Sequence, residues 1–221
     1  MATQLDLQEQ EQIDALKAFW KQYGNLITWV LILVLGAYAA WNGWNWYQRD
    51  QSVKAAAMYD ELDKAAQAGD AALVTQRFDD LKQRYARTAY AEKGGLLAAR
   101  VQAERQQTDA ARASLQWVAD NAAEDEYRAI ARLRLAGLLL DAGQHDEALR
   151  QVDAVKDAAF AALAADRRGD VLLAMGRRDE AQAAYQAAWQ AMADDVEYRR
   201  LIDAKLTALG AAPAAAVQGA R

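Results

Sequence analysis

LLDAGQHDEA, Leu139–Ala148, and LLAMGRRDEA, Leu172–Ala181, are two copies of one pattern, LL-x-x-G-x-x-D-E-A, set 33 residues apart. Each copy describes a helix, a tight turn and a second helix. The Leu pair closes the first helix. The Gly takes the left-handed conformation that ends it, which a residue without a Cβ adopts cheaply. The Asp stands near the start of the second helix, facing unpaired backbone N–H groups and the positive end of the helix dipole. The small Ala lets the two helices approach closely. A unit of this size that recurs is one supersecondary element stacked on its neighbours.

Further copies flank these two. Ala99, Ala111 and Leu115 correspond to Ala136, Ala148 and Val152, and then to Gly169, Ala181 and Tyr185. Here the offset is 37, and Gln106 stands where the turn Gly belongs. A more divergent pair precedes them, with stripes Val53, Ala56, Tyr59, Leu62 and Val74, Phe78, Leu81, Tyr85. Gly69, Gly143, Gly176 and Gly210 punctuate helical patterns. Val196 through Leu209 reads as a capping helix, which a solenoid needs because an open last repeat exposes its core face. The period lies beside the roughly 34 residues of the tetratricopeptide repeat. The tail from Ala211 to Arg221 carries the only Pro and reads as a frayed end.

Composition agrees. The chain has 221 residues, among them 54 Ala and one Pro. Ala is the strongest helix former and Pro the strongest breaker. The sandwiches, barrels and βαβ folds that need β-branched strands are excluded. With no Cys and one His there is no disulfide framework, no thiolate nucleophile and no His-pair metal site. A net charge of −5 argues against nucleic acid as a partner.

The first 50 residues differ in kind. No charge lies between Lys21 and Arg49, and the most apolar part runs from Leu26 to Trp41. Leu26, Ile27, Trp29, Val30, Leu31, Ile32, Leu33, Val34 and Leu35 form the anchor, with Trp41 and Trp44 at its end. Phe19, Trp20 and Tyr23 precede the run; Trp46 and Tyr47 follow it. Tyr23 to Trp44 spans roughly 31 Å of helix, against about 30 Å of hydrocarbon. Aromatic belts one membrane apart mark a span. Two alternatives exist. A buried soluble helix would not carry the paired belts. Cleavage after Ala37-Tyr38-Ala39 would make a signal peptide. An acidic leader (Asp6, Glu9, Glu11 and Asp14 against Lys17 and Lys21) and the continued uncharged run oppose cleavage. Lys17 and Lys21 balance Arg49 and Lys54, so charge leaves the orientation open. A leader of about 20 residues before a part of about 170 suits an uncleaved anchor with its C-terminal part exported. Gly36 with Ala40, and Ala39 with Gly43, have the spacing of helix contacts in lipid, or reflect Ala and Gly content alone. Ile13, Leu16 and Trp20 let the leader run as a helix into the span.

The expected fold is therefore all-α: one N-terminal transmembrane helix, then a tetratricopeptide-like α-solenoid of about three to four helix pairs and a capping helix. The expected divisions are a leader over 1–23, the anchor over 24–47, the helix-pair domain over 48–209 and the tail over 210–221. No phosphate loop, HExxH or nucleophile elbow occurs, so no catalytic, metal or cofactor residue is assigned. His145 reads as an exposed turn residue, because Arg178 holds the equivalent place. Trp117 and Trp189 read as core. What remains is the concave face lined by the first helix of each pair. The repeat places Leu96, Arg100, Glu104, Leu133, Leu140, Asp141, Asp166, Asp170 and Leu173 towards it.

Three stretches carry a resemblance to a known family: EQIDALKAFWKQYG (Glu11–Gly24), AIARLRLAGLLLDAGQHDEALRQVDAVK (Ala129–Lys156) and ADRRGDVLLAMGRRDEAQAAYQAA (Ala165–Ala188). The last holds Asp166-Arg167-Arg168-Gly169-Asp170, close to the family's D-x-R-G-[DE] signature. The chain resembles the YfgM family, ancillary subunits of the bacterial SecYEG translocon. The likeness weakens between Asp50 and Ala91 and is absent in the tail. It implies a single-pass inner-membrane protein with a cytoplasmic N-terminus and a periplasmic domain. It also implies association with the translocon and with the membrane-anchored chaperone PpiD, and hand-over of unfolded secreted clients. A second function, also attached to some members, is that of an adaptor sequestering an envelope-stress response regulator.

Overall fold

The computed structural model describes residues 7–193 and 197–211. Asp6 of the leader, Val196 of the capping stretch and the tail from 212 lie outside the described residues. Nine α-helices follow in order, with no strand among the described residues: α1 (Leu7–Gln67), α2 (Ala71–Tyr85), α3 (Ala89–Glu104), α4 (Thr108–Asn121), α5 (Asp125–Asp141), α6 (His145–Asp153), α7 (Ala161–Ala174), α8 (Arg178–Ala191) and α9 (Arg199–Ala208). A single 3-10 turn, Ala158–Phe160, precedes α7. The chain divides into two compact units at Gln51–Ser52, within α1.

The first unit is helix alone. Its apolar side chains are exposed along the run from Leu26 to Leu35 and at Trp41, Trp44 and Trp46, with Ile27 half-buried. No protein surface covers them, and α1 is long and apolar enough to cross a membrane. A helix is suited to lipid because its backbone groups pair internally. The span's polar side chains follow the same rule: Thr28 Oγ1 donates to the Gly24 carbonyl at 2.8 Å, and Asn42 Nδ2 to the Tyr38 carbonyl at 3.0 Å. The missing side chain of Gly24 makes room for the Trp20 ring, which lies 3.1 Å from where a Cβ would stand.

The second unit holds four helix pairs (the end of α1 with α2, α3 with α4, α5 with α6, α7 with α8) and α9 as cap. The repeat is reproduced in the turns. Gly143 N–H donates to the Leu140 carbonyl and Gln144 N–H to that of Leu139, at 2.9 and 2.8 Å. Gly176 to Leu173 and Arg177 to Leu172 repeat this at 2.9 and 2.9 Å. This paired bonding satisfies the last carbonyls of a helix and needs a left-handed residue. Gly143 and Gly176 have φ of 72° and 76°, and Gln106, in the Gly position of the upstream copy, has φ of 59°. The second helices begin at His145 and Arg178, so Asp146 and Asp179 lie in their first turns. The capping residues Gln144 and Arg177 make no side-chain cap bond, which leaves the dipole as what the two Asp can serve.

Burial follows the aligned positions. Ala111, Ala148 and Ala181 are fully inaccessible, as are their partners Ala136 and Ala188. Leu62, Val74, Phe78, Leu81 and Val101 form the first layer of core. Leu96, Leu115, Val118, Leu135, Leu139 and Val152 form the second. Leu172, Tyr185, Ile202 and Leu206 form the third. Trp117 packs against both the first and second layers, edge-on to Phe78 at 5.4 Å. The stripe expected from Val53 is corrected: Val53 is 71% exposed, and Ala55, Leu62 and Ala65 carry the buried face.

A buried acid sits where the second pair meets the third. Glu92 Oε1 accepts the Ala123 N–H at 2.8 Å, while its buried Oε2 has no partner. Burial pushes its carboxyl above the ordinary value of 4.5, and the Ala123 bond only partly opposes this. The folded state therefore holds this proton more tightly than the unfolded chain. The contribution of Glu92 to stability is full below pH 4.5 and falls as pH rises from there through the higher folded value. In Glu92→Gln that part of the decline should vanish. Urea midpoints taken across this range in both proteins check it.

A cleft across the first helices

A cleft of about 440 Å³ is lined by Ala99, Arg100 and Ala103 of α3, Arg134, Gly137, Leu138 and Asp141 of α5, and Arg167 of α7, with Leu115 of α4 beneath. Of the expected residues, Arg100 and Asp141 line it. Glu104 is exposed on the same helix as Arg100, which it faces at 3.8 Å. Leu133 and Leu140 are half-buried beside the cleft and do not line it; Leu140 packs on the second core layer. Leu173 is 40% exposed, outside the cleft.

Two expected residues belong to the interior. Leu96 is only 9% exposed and part of the second core layer. Asp166 is 2% exposed, and both its carboxylate oxygens accept from Lys205 Nζ of α9, at 2.8 and 2.9 Å. Its Oδ2 also accepts the Tyr198 hydroxyl at 2.8 Å. Asp170 Oδ1, half-buried, accepts from Lys205 Nζ at 2.6 Å and from the Tyr185 hydroxyl at 2.8 Å. The two acids of the signature run thus tie α7 to α8 and α9. Gly169 adds to this tie, because a Cβ there would stand 2.4 Å from the Tyr185 ring. Burial, then the Asp166 bond, pushes the Tyr198 hydroxyl up to about 12. Burial and Asp170 push that of Tyr185 further.

Arg134 and Arg167 are what the repeat reading missed. Arg134 and Arg167 stand nine residues before Gly143 and Gly176, so they are equivalent and 33 apart. Arg100 stands six before Gln106, one helical turn further along. The recurrence was present in the sequence, but charge on a helix surface ordinarily means solvent alone. A second hollow, of about 620 Å³, is lined by Arg112, Gln144, His145, Asp146, Glu147 and Arg150 among others. Its charges answer one another. Arg112 Nη2 donates to Gln144 Oε1 at 2.7 Å, and Arg150 bonds Glu147 and holds its carboxyl below the usual range. His145 begins α6 on this rim. Among the described residues no group of acids and His could hold a metal ion.

Comparison with known proteins agrees with this architecture. A family model described as a tetratricopeptide repeat-like domain matches residues 17–211. Proteins named ancillary SecYEG translocon subunit are similar over most of their length. That of Neisseria gonorrhoeae is 31% identical over 207 residues, covering 92% of this chain and 98% of the relative. That of Haemophilus influenzae is 30% identical over 184 residues, 83% and 90%. That of Escherichia coli is 28% identical over 181 residues, 81% and 86%. Since the match runs from inside the leader through α9, this chain belongs to the tetratricopeptide repeat-like family of ancillary SecYEG translocon subunits, the YfgM family.

Proposed function

We propose that this protein is a non-enzymatic accessory subunit of the SecYEG translocon that receives secreted chains as they emerge and passes them to periplasmic chaperones. The N-terminus is cytoplasmic, α1 crosses the inner membrane once, and the helix pairs lie in the periplasm. PpiD is the expected chaperone partner. The observation that carries this reading is that one chain holds both an uncovered apolar helix and a recessed cleft across stacked helix pairs. Relatives covered almost end to end bear the translocon name. Anchoring supplies what the cleft lacks in area. A site held near the channel meets clients at an effective concentration on the order of millimolar, so weak binding suffices.

The test is photo-crosslinking in living cells from a probe at Asp141, inside the cleft, and from one at Asp120, exposed on α4. Adducts with a translocon subunit, PpiD or a nascent secreted chain from Asp141, and tenfold fewer from Asp120, are the expected result. Adducts with none of the three at Asp141 would reject the assignment.

A further inference from the structure

We propose that the cleft selects extended peptide segments that carry Asp or Glu beside small aliphatic residues. This deepens the reading of the cleft as the client site and rests on it. Arg100, Arg134 and Arg167 converge on the cleft from three successive first helices. The one carboxylate in its lining is Asp141. The lining itself thus carries three guanidiniums against one carboxylate, with Glu104 and Asp170 standing behind Arg100 and Arg167 at 3.8 and 3.7 Å.

Two of the guanidiniums carry loose ion pairs and keep hydrogen-bond donors to spare. Arg100 stands 3.8 Å from Glu104 and Arg167 3.7 Å from Asp170, both beyond hydrogen-bonding reach. Asp170 is already committed to Lys205 and Tyr185. Arg134 is exposed. Each guanidinium offers a planar fork that matches a carboxylate. The Arg167 guanidinium reaches across to α5, 3.6 to 4.0 Å from where a Cβ on Gly137 would stand. The rest of the lining is aliphatic: Ala99, Ala103, Leu115, Leu138 and the bare backbone of Gly137. Donors around an Ala and Leu floor suit a chain that alternates acidic and small apolar side chains. A folded surface does not enter a cleft of about 440 Å³.

The test uses the full chain in neutral detergent micelles and fluorescein-labelled ten-residue peptides read by anisotropy. One peptide alternates Asp and Glu with Ala and Val; a second replaces each acid by its amide; a third keeps the acids and replaces the aliphatics by Ser. The expected result is at least tenfold tighter binding of the first than of either other, with the advantage falling severalfold between 50 and 500 mM salt. Arg134→Gln should cut the acid preference at least threefold and Arg100→Gln with Arg134→Gln should abolish it. Arg134→Lys should keep a part, which shows that charge is read. Equal binding of the acidic and amide peptides, or a preference untouched in the double variant, overturns the proposal. So does an oligonucleotide that binds more tightly than the acidic peptide, or self-association of the chain that the double variant abolishes. If crosslinks from Asp141 to translocon and client persist while the acid preference is absent, the proposal falls and the translocon reading stands. A preserved preference without those crosslinks does the reverse.

Discussion

Asp166→Ala is expected to destabilise the last helix pair by about 3–5 kcal/mol and to loosen α9. The carboxylate is 2% exposed and accepts three hydrogen bonds, two from one ammonium and one from a phenol. Hydrogen bonds to charged groups are worth about 1.5–3 kcal/mol each, and removing one partner of a buried ion pair costs about 3–5 kcal/mol. For a domain of this size each kcal/mol moves the melting midpoint by about 2–4 °C, so a fall on the order of 10 °C should result. Lys205 keeps Asp170 at 2.6 Å, which is why the loss stays below the sum of the bonds removed. Hydrogen exchange on the full chain in micelles locates the effect: amides of α9 should lose protection while α3 and α4 keep theirs. Replacing both partners, Asp166→Leu with Lys205→Met, should recover most of the loss, since apolar pairs of similar volume often replace buried ion pairs without penalty. A drop of less than 1 kcal/mol in the single variant would mean that Asp166 is not what holds α9.

Asp166 also shows where sequence stops being informative. The turns were legible because they depend on local chemistry: Gly143 and Gly176 recur at one offset and hold one left-handed conformation. The aligned Ala111, Ala148 and Ala181 were legible because only a small residue fits where helices close on each other. The long apolar helix was legible because an uncharged run of that length has few soluble counterparts. The partner of Asp166 lies 39 residues away on a helix outside the repeat, and no periodicity links the two. A charge on a first helix was therefore assigned to the surface although its countercharge comes from inside the fold. Small rotations account for other differences. Leu133 is expected on the cleft that Arg134 lines, one residue and about 100° of helix away. The stripe from Val53 used a strict spacing of three, which drifts by about 60° per step on an α-helix and misses Ala55.

Gly95→Ala is expected to cost about 2 kcal/mol, although alanine is the better helix former. Propensity alone would favour the change by about 1 kcal/mol. The surroundings reverse the sign. A Cβ at Gly95 would lie 2.4 Å from Val118 Cγ2 and 3.0 Å from Phe78 Cζ. Neither neighbour can yield. Val118 is inaccessible and β-branched, with one strongly preferred rotamer in a helix. Phe78 is 1% exposed and backed by the Trp117 edge at 5.4 Å. So α3 must move away from α2 and α4 together, and overpacking of this kind costs typically about 1–3 kcal/mol. The effect should be severe because α3 is seated twice: a Cβ on Gly94 would meet Leu81 at 2.8 Å and Leu62 at 3.0 Å on its other side. A double-mutant cycle tests the cause. Val118→Ala alone should destabilise by opening a cavity, yet in the Gly95→Ala background it should cost little or restore stability, because the new methyl occupies the vacated space. A coupling on the order of 1–2 kcal/mol in urea unfolding is expected. Strict additivity would show that the loss comes from elsewhere and that Val118 is not what requires glycine at this position.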